Sequence, residues 1–496
     1  MAAGVTPAEG GERLALFVHR AHELVTRPPV TCAGTASASA IARTLSAERV
    51  GSVVVVDDDG APVGIVTDRD LRRNVVAAGR DPSATPARAI MSAPLVTLPP
   101  DAFAFDVVLA MTRHGIHHVV LVDGKRLAGV VSARDVMALS ATHPVALARD
   151  IERAPSVAVL GTVAHRVVAL VRRLLDEGVG AHGIAQVVAE LNDRLVVRVL
   201  TLVTDTLARA GSPPPATPYC WLLFGSEARR EQTLRTDQDN GLVYADAPAE
   251  AGATAAAYYA RFARDVIEAL VAVGFPRCPG DVMASNPRWC QPLSVWSGYF
   301  RAWMEHPAPA ELLAASIHFD VRGLAGDPGL GAALVGIVTG EAPARPLFLR
   351  LLAHEVVSRR PPLTLFRNVA VESSGPRRGL VDVKAAGMLQ LTGAARVMAL
   401  AHGVQATNTI ERFRAAGPRI GASETDVRDT IDAYTHLMRL RLVHQIEQLA
   451  EGRAPDNHVD PTRLSRADAL LFRDALRTVQ RVQARIRDRF VTDLVG

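Results

Sequence analysis

The segments GIVTDRD at 64–70 and GVVSARD at 129–135 repeat at an offset of 65 residues, and the register extends upstream of both. Gly51-Ser52 precedes the apolar run Val53–Val56, and Ile116-His117-His118 precedes Val119–Val122, with an Asp-Gly turn after each run. Self-similarity at a fixed period marks a duplicated supersecondary unit. Each copy reads as helix, strand, turn, strand, then a helix opening at an acidic residue. In both copies a hydroxyl residue, Thr67 or Ser132, ends the second strand three residues before a carboxylate, Asp70 or Asp135. Such a pair can grip a nucleotide, with the hydroxyl and helix amides at phosphate and the carboxylate on ribose hydroxyls. It can equally be an N-cap with an acidic first turn.

A chain of 496 residues exceeds what one core supports and should divide into three or four domains. Hydrophobic residues make up 49% and charged residues 21%, which excludes disorder. Lys125 and Lys384 are the only lysines, and neither lies in a Gly-Lys-Ser/Thr sequence, so P-loop chemistry is excluded. A net charge of +4 without a basic face interleaved with aromatics argues against a specific nucleic-acid partner. Cys32, Cys220, Cys278 and Cys290 form no CxxC pair and read as reduced thiols. No run approaches 18 apolar residues and the first residues lack a basic n-region with an apolar stretch and cleavage site, so a cytoplasmic location without a membrane partner is expected.

Residues 156–210 carry apolar positions at helical spacing and read as a helical connector. Gly178, Gly180 and Gly183 form a lone G-x-G-x-x-G that follows a helix and not a strand, so it lacks the context of a dinucleotide site. Pro213, Pro214 and Pro215 mark a boundary. The expected divisions are a tail at 1–27, the repeat pair at 28–145, the connector at 146–212, an α/β domain at 213–345 and a helical bundle at 346–496.

Past the prolines, the buried-strand run Tyr219–Phe224 breaks into Gly225-Ser226 at the start of a helix. A glycine there admits phosphate to the backbone, and the hydroxyl and free amides donate to it. Arg229, one turn on, can neutralise phosphate charge. Asp237 and Asp239 run into a second strand on alternate positions and can present two carboxylates to one site, which suits Mg²⁺ or Mn²⁺ with substrate phosphates. Ile317–Arg322 alternates like a strand and would aim Asp320 at the same cleft as a third carboxylate, while Asp327 reads as a turn residue. Lys384, after Asp382 in a strand-like run, suits either a substrate contact or a structural Asp–Lys pair.

Residues 28–140 resemble a tandem pair of cystathionine-β-synthase (CBS) domains, a family that binds adenine nucleotides between its repeats and self-associates. Gly225-Ser226 followed by Asp237-Gln238-Asp239 resembles the nucleotidyltransferase superfamily to which DNA polymerase beta belongs. With GDVMASNPRWCQPLSVW at 280–296, HFDVRGLAGD at 318–327, VDVK at 381–384, NTIERF at 408–413 and LRLVHQ at 440–445, the chain looks like a bacterial family of CBS-domain-containing nucleotidyltransferases. The catalytic domain of that family is similar to the one in protein-PII uridylyltransferase.

The resemblance implies a multidomain α/β and α fold: CBS pair, helical connector, nucleotidyltransferase domain and a helical substrate-binding bundle. It implies transfer of a nucleoside monophosphate from a triphosphate to an acceptor hydroxyl, such as one on a PII-like signalling protein. Asp237, Asp239 and Asp320 would hold metal and act in catalysis, Gly225, Ser226 and Arg229 would hold phosphate, and Thr67, Asp70, Ser132 and Asp135 would hold an adenine nucleotide. Lys384, Arg396, Asn408 and Arg412, with Arg441, Gln445 and Asn457, would line the substrate cleft. A CBS-mediated homodimer is the expected assembly. The alternative is a catalytically silent nucleotide sensor. Two departures matter: about 27 residues before the repeats are too few for the cyclic-nucleotide-binding domain of many relatives, and without a His-Asp dipeptide there is no sign of a nucleotide-removing hydrolase.

Overall fold

The computed structural model describes residues 20–25, 27–137, 144–234, 237–364 and 369–490, which leaves most of the expected tail outside the described residues. Its contacts divide the chain into Met1–Asp150 with Asp176–Gly178, and Ile151–Leu175 with Val179–Gly496.

The first unit repeats one small design twice. Strand β1 (Thr31–Ala33) lies parallel to β2 (Ser52–Val56), which pairs antiparallel with β3 (Pro62–Thr67). In the second copy β4 (Thr97–Leu98) lies parallel to β5 (His118–Asp123), which pairs antiparallel with β6 (Arg126–Ser132). The valine runs are buried because helices α1 (Ala38–Glu48) and α2 (Ala104–His114) cover them: Ile41 and Leu45 meet Val53 and Val55, and Val107, Val108 and Met111 meet Val119 and Leu121. Each such side chain contributes about 1.5–3 kcal/mol on burial.

The second unit contains the helices read as a connector. Helix α3 (Pro144–Arg153) crosses the division, and α4 (Val157–Asp176) and α5 (Ala181–Arg209) pack within the second unit. Helix α5 packs on α6 (Ala249–Val273) and reaches strand β10 (Val321–Gly326). The sheet has the order β10-β7-β8-β9, with β7 (Tyr219–Phe224) antiparallel to both β8 (Asn240–Tyr244) and β10 (Val321–Gly326), and β9 (Cys290–Pro292) parallel to β8. A central strand buried on both faces reads as a continuous apolar run, which is the reason for YCWLLF in β7. Trp289, Phe319 and residues of α7 (Leu293–Glu305), namely Trp296, Phe300 and Trp303, form an aromatic cluster against it.

Residues 317–322 depart from expectation. They are not one strand: α8 (Pro309–His318) ends there and β10 begins at Val321. Pro309 opens that helix, and its buried positions Leu312, Ala315 and His318 recur every three residues, so helical burial outweighs the local alternation.

After α9 (Pro328–Glu341), the bundle comprises α10 (Pro346–Ser358), α11 (Leu389–Ala401), α12 (Thr409–Ala416), α13 (Glu424–Ala450) and α14 (Arg466–Phe490). Phe348, Leu352, Leu391, Leu437, Phe472 and Val479 share one core, continuous with that of the sheet. The strand-like 380–383 segment supplies β11 (Val381–Asp382), paired antiparallel with β12 (His458–Val459). Among the described residues no single helix is long and apolar enough to cross a membrane.

Candidate active site

Strand β7 ends at Phe224 and the chain turns through Gly225 at φ +53°, a conformation that costs an ordinary residue roughly 1–2 kcal/mol. A one-turn helix, Gly225–Ala228, follows. The Phe224 amide donates to the Asp239 carbonyl at 2.9 Å, which seats the acidic segment beside the turn. Within that segment Asp237 is exposed, Gln238 is buried and donates to the Phe275 carbonyl at 3.1 Å, and Asp239 is half-buried. The alternation therefore holds although β8 begins only at Asn240. Burial, with Asp237 close by, pushes the Asp239 carboxyl up, against the Cys278 thiol that donates to it and the charges of Lys384 and Arg229.

Ser226, Arg229, Asp237 and Asp239 line a cleft of about 880 Å³, counting its open mouth. Lys384, Arg441, Gln445 and Asn457 of the bundle close its other side. Lys384 is exposed to the cleft; partial desolvation by the cleft walls, together with Arg441 and Arg229, depresses its ammonium, while Asp239 and Asp237 favour its charge. Arg441 Nε donates to Asn457 Oδ1 at 2.7 Å, fixing both. The cleft thus sets Asp237 and Asp239 opposite Lys384 and Arg441, with Arg229, Glu231 and Asp456 also on its wall.

Four residues expected in this cleft stand elsewhere. Asp320, at the junction of α8 and β10, is fully buried and occupied. Arg396 donates to it through Nε at 3.0 Å and a terminal nitrogen at 2.7 Å, Arg412 at 2.5 Å and Arg229 at 2.5 Å. Burial alone would raise its pKa, but the three guanidiniums hold it well below the usual carboxylate range. It has no free lone pair for a metal or an acceptor proton, and the reading of Asp320 as third ligand or base is withdrawn. Arg396 and Arg412, read as cleft residues, are the buried partners of that carboxylate. Asn408 is the N-cap of α12 and donates to the Arg229 carbonyl at 3.0 Å, so it braces the turn from behind.

Sequence reasoning missed Glu231, which clasps the two halves of this unit. It accepts from the Thr409 amide and hydroxyl at 2.5 and 3.0 Å, from the Tyr434 hydroxyl at 2.7 Å and from Arg229 at 2.8 Å. The available signal is on α13, where polar Tyr434, Arg441 and Gln445 interrupt an apolar stripe at spacings of seven and four.

In the first unit Thr67 and Asp70 form a reciprocal capping box: the Thr67 hydroxyl donates to Asp70 at 2.6 Å and the Thr67 amide at 2.8 Å. Ser132 and Asp135 repeat it at 2.5 and 2.8 Å. Thr67 and Asp70 also line a cavity of about 950 Å³ with Arg69, Ser92, Gly115 and His117; Ser132 and Asp135 are not among its lining residues. The two capping boxes are alike, and the first of them borders this cavity.

One unit is a repeated strand–turn–strand design with a cavity, as expected of a CBS pair, and the other is a four-stranded sheet whose Gly-Ser turn and acid pair face a helical bundle, as expected of a nucleotidyltransferase-like domain. The family matches agree: residues 165–310 match "Putative nucleotidyltransferase DUF294", 346–490 match "Putative nucleotidyltransferase substrate binding domain", and 21–77 and 87–141 match "CBS domain". The chain carries a CBS pair, a DUF294 nucleotidyltransferase domain and the DUF294 C-terminal domain.

Among curated relatives, the uncharacterized protein MK0525 of Methanopyrus kandleri is 35% identical over 116 residues, 23% of this chain and 59% of that protein. The inosine-5'-monophosphate dehydrogenase of Mycobacterium tuberculosis is 32% identical over 131 residues, 26% of this chain and 24% of that enzyme. The chain thus spans less than two thirds of these relatives. A solved CBS domain protein, PAE2072 from Pyrobaculum aerophilum complexed with AMP, is 37% identical over 24% of this chain and 89% of that one, with a TM-score of 0.23.

Proposed function

We propose that the protein is a divalent-metal-dependent nucleotidyltransferase that moves a nucleoside monophosphate from a triphosphate to an acceptor hydroxyl, under control of the CBS pair. The observation that carries this reading is the cleft in which Ser226, Asp237 and Asp239 face Lys384 and Arg441. Two carboxylates fit a hard cation that takes one or two protein oxygens and completes its shell with phosphates and water. Asp237 and Asp239 would hold it, and a bound cation would offset the burial and the Asp237 charge that push Asp239 up. When bound, such an ion neutralises the triphosphate and stabilises the leaving pyrophosphate. Gly225 opens the backbone to phosphate, Ser226 donates to it, and Arg229, fixed by Asp320, presents charge without reorganising. Lys384 and Arg441 balance the remaining negative charge from the bundle.

By the resemblance of the sequence, the acceptor is a hydroxyl on a PII-like signalling protein and the activity is uridylyltransferase-like. The CBS cavity takes an adenine nucleotide, Thr67 and Asp70 contributing, in a cytoplasmic homodimer.

A second reading is favoured by the loss of Asp320 from the cleft: among the described residues no three His, Cys, Asp or Glu groups are placed to hold a metal together. On that reading the domain binds nucleotide without transferring it. Pyrophosphate release with Mg²⁺ and each triphosphate, followed by identification of what a radiolabelled triphosphate modifies in cell extract, separates the two.

A further inference from the structure

Helix α5 carries acidic residues where an amphipathic connector would bury apolar ones. Glu190 and Asp193, with Asn192 between them, are all buried. Each reaches the segment that follows Gly225-Ser226. Asp193 receives Arg322 of β10 in a bidentate pair at 2.9 and 2.8 Å, and the same guanidinium donates to the Glu227 carbonyl at 3.1 Å. Asn192 donates to Gln232 at 3.0 Å, and Gln232 to the Glu227 carboxyl at 2.9 Å. Arg230 lies 3.4 Å from Asp193 and 3.7 Å from Glu190, and its backbone sits at φ +57°, a left-handed conformation that an arginine adopts only under constraint.

The same stripe of the helix, one and two turns beyond Glu190, holds the start of the unit, and Arg194 also lies 3.3 Å from Glu190. Arg194 pairs with Glu152, and Arg198 donates to the Ala154 carbonyl at 2.9 and 2.8 Å. Glu152 and Ala154 belong to the first residues after the unit that ends at Asp150.

We propose that α5 sets the phosphate-binding turn, with Asp193 as a positioning residue acting through Arg322 and Arg230, and that Glu152 and Arg198 give the chain leaving the CBS pair a hold on the same helix. Ligand in the CBS pair then changes triphosphate affinity by shifting α5. Coupling requires such a differential interaction and is reciprocal. The proposal rests on the transferase reading of the cleft, and its test is separable from that reading.

The test uses the full chain, with binding of a non-hydrolysable UTP analogue and Mg²⁺ measured by calorimetry with and without AMP. Asp193→Asn keeps the side-chain volume and removes the charge that holds Arg322; binding should weaken about tenfold, and Asp193→Glu should restore most of it, which a merely structural role would not require. In wild type AMP should change the analogue's dissociation constant several-fold. Glu152→Ala with Arg198→Ala, neither of which touches the turn, should leave the affinity without AMP unchanged and abolish the AMP effect. Unaltered binding in Asp193→Asn overturns the positioning role. An AMP effect absent from wild type, or surviving in the double variant, overturns the coupling. Failure of wild type to bind any triphosphate is instead the failure of the transferase reading.

Discussion

A Cβ placed on Gly225 would lie 3.3 Å from Oδ2 of Asp239, closer than side chains ordinarily approach. The turn and the acid pair are therefore one construction. Gly225→Ala should cost roughly 1–2 kcal/mol through its left-handed φ and should push Asp239 out of place. The expected result is loss of triphosphate binding with a modest fall in Tm; binding at wild-type affinity would show that the close approach is dispensable.

Asp237→Asn and Asp239→Asn should each abolish pyrophosphate release while the protein stays folded. Burial raises the Asp239 pKa, so its charged form is disfavoured in the folded state. Its contribution is favourable below the ordinary carboxylate pKa and is lost as pH rises through the raised value. Asp239→Asn should accordingly match or exceed wild type in Tm at pH 7 and lose that advantage near pH 4. Mg²⁺ should raise the Tm of wild type and leave that of the variant unmoved. A lower Tm for Asp239→Asn at pH 7 would count against the burial argument.

Asp320→Asn should behave as a stability variant, because it leaves three buried guanidiniums short of a counter-charge. Removing one partner of a buried pair costs about 3–5 kcal/mol. Its depressed pKa places the contribution above the ordinary carboxylate value and removes it as pH falls below about 4. Denaturant titration of wild type and variant from pH 7 to pH 3 should show the gap closing as the pH drops. A variant as stable as wild type but unable to transfer would return Asp320 to the chemistry.

Lys384→Met should weaken triphosphate binding about tenfold with little change in Tm, since the side chain is exposed to the cleft. In wild type the affinity should begin to fall at a pH below the ordinary lysine value of about 10.4. Fluorescence titration of a triphosphate analogue between pH 7 and pH 10 gives both numbers.

Thr67→Ala and Ser132→Ala should each cost about 1 kcal/mol by removing a helix cap. Only Thr67→Ala should also weaken adenine-nucleotide binding in calorimetry, because Thr67 lines the cavity and Ser132 does not. Equal weakening by both would mean that the second capping box also meets ligand.

What the sequence discloses here follows from how local the cause is. The CBS strands, the Gly225 turn and the alternation of Asp237, Gln238 and Asp239 depend on neighbours within a few residues, and they are readable. The bundle is readable from the spacing of Leu437, Leu440 and Ile446. Asp320 is not, because its partners Arg396 and Arg412 come from 76 and 92 residues away and no pattern near 320 announces them. The same distance hides Glu231, whose partners Thr409 and Tyr434 lie in the bundle. Helix α5 is misread for a subtler reason: its amphipathic pattern is real, but the polar face is buried against charges of the opposite sign.

The clasp on Asp320 also has a time course. When a ribosome has made the sheet, only Arg229 of the three guanidiniums exists beside that carboxylate, and Arg412 is 92 residues later in the chain. At about 5–20 residues per second, roughly ten seconds pass before the last partner emerges. Through that interval the nascent sheet must leave Asp320 in water or protonate it, so its final closure waits for the bundle, and the segments matched as separate families complete their folding as one.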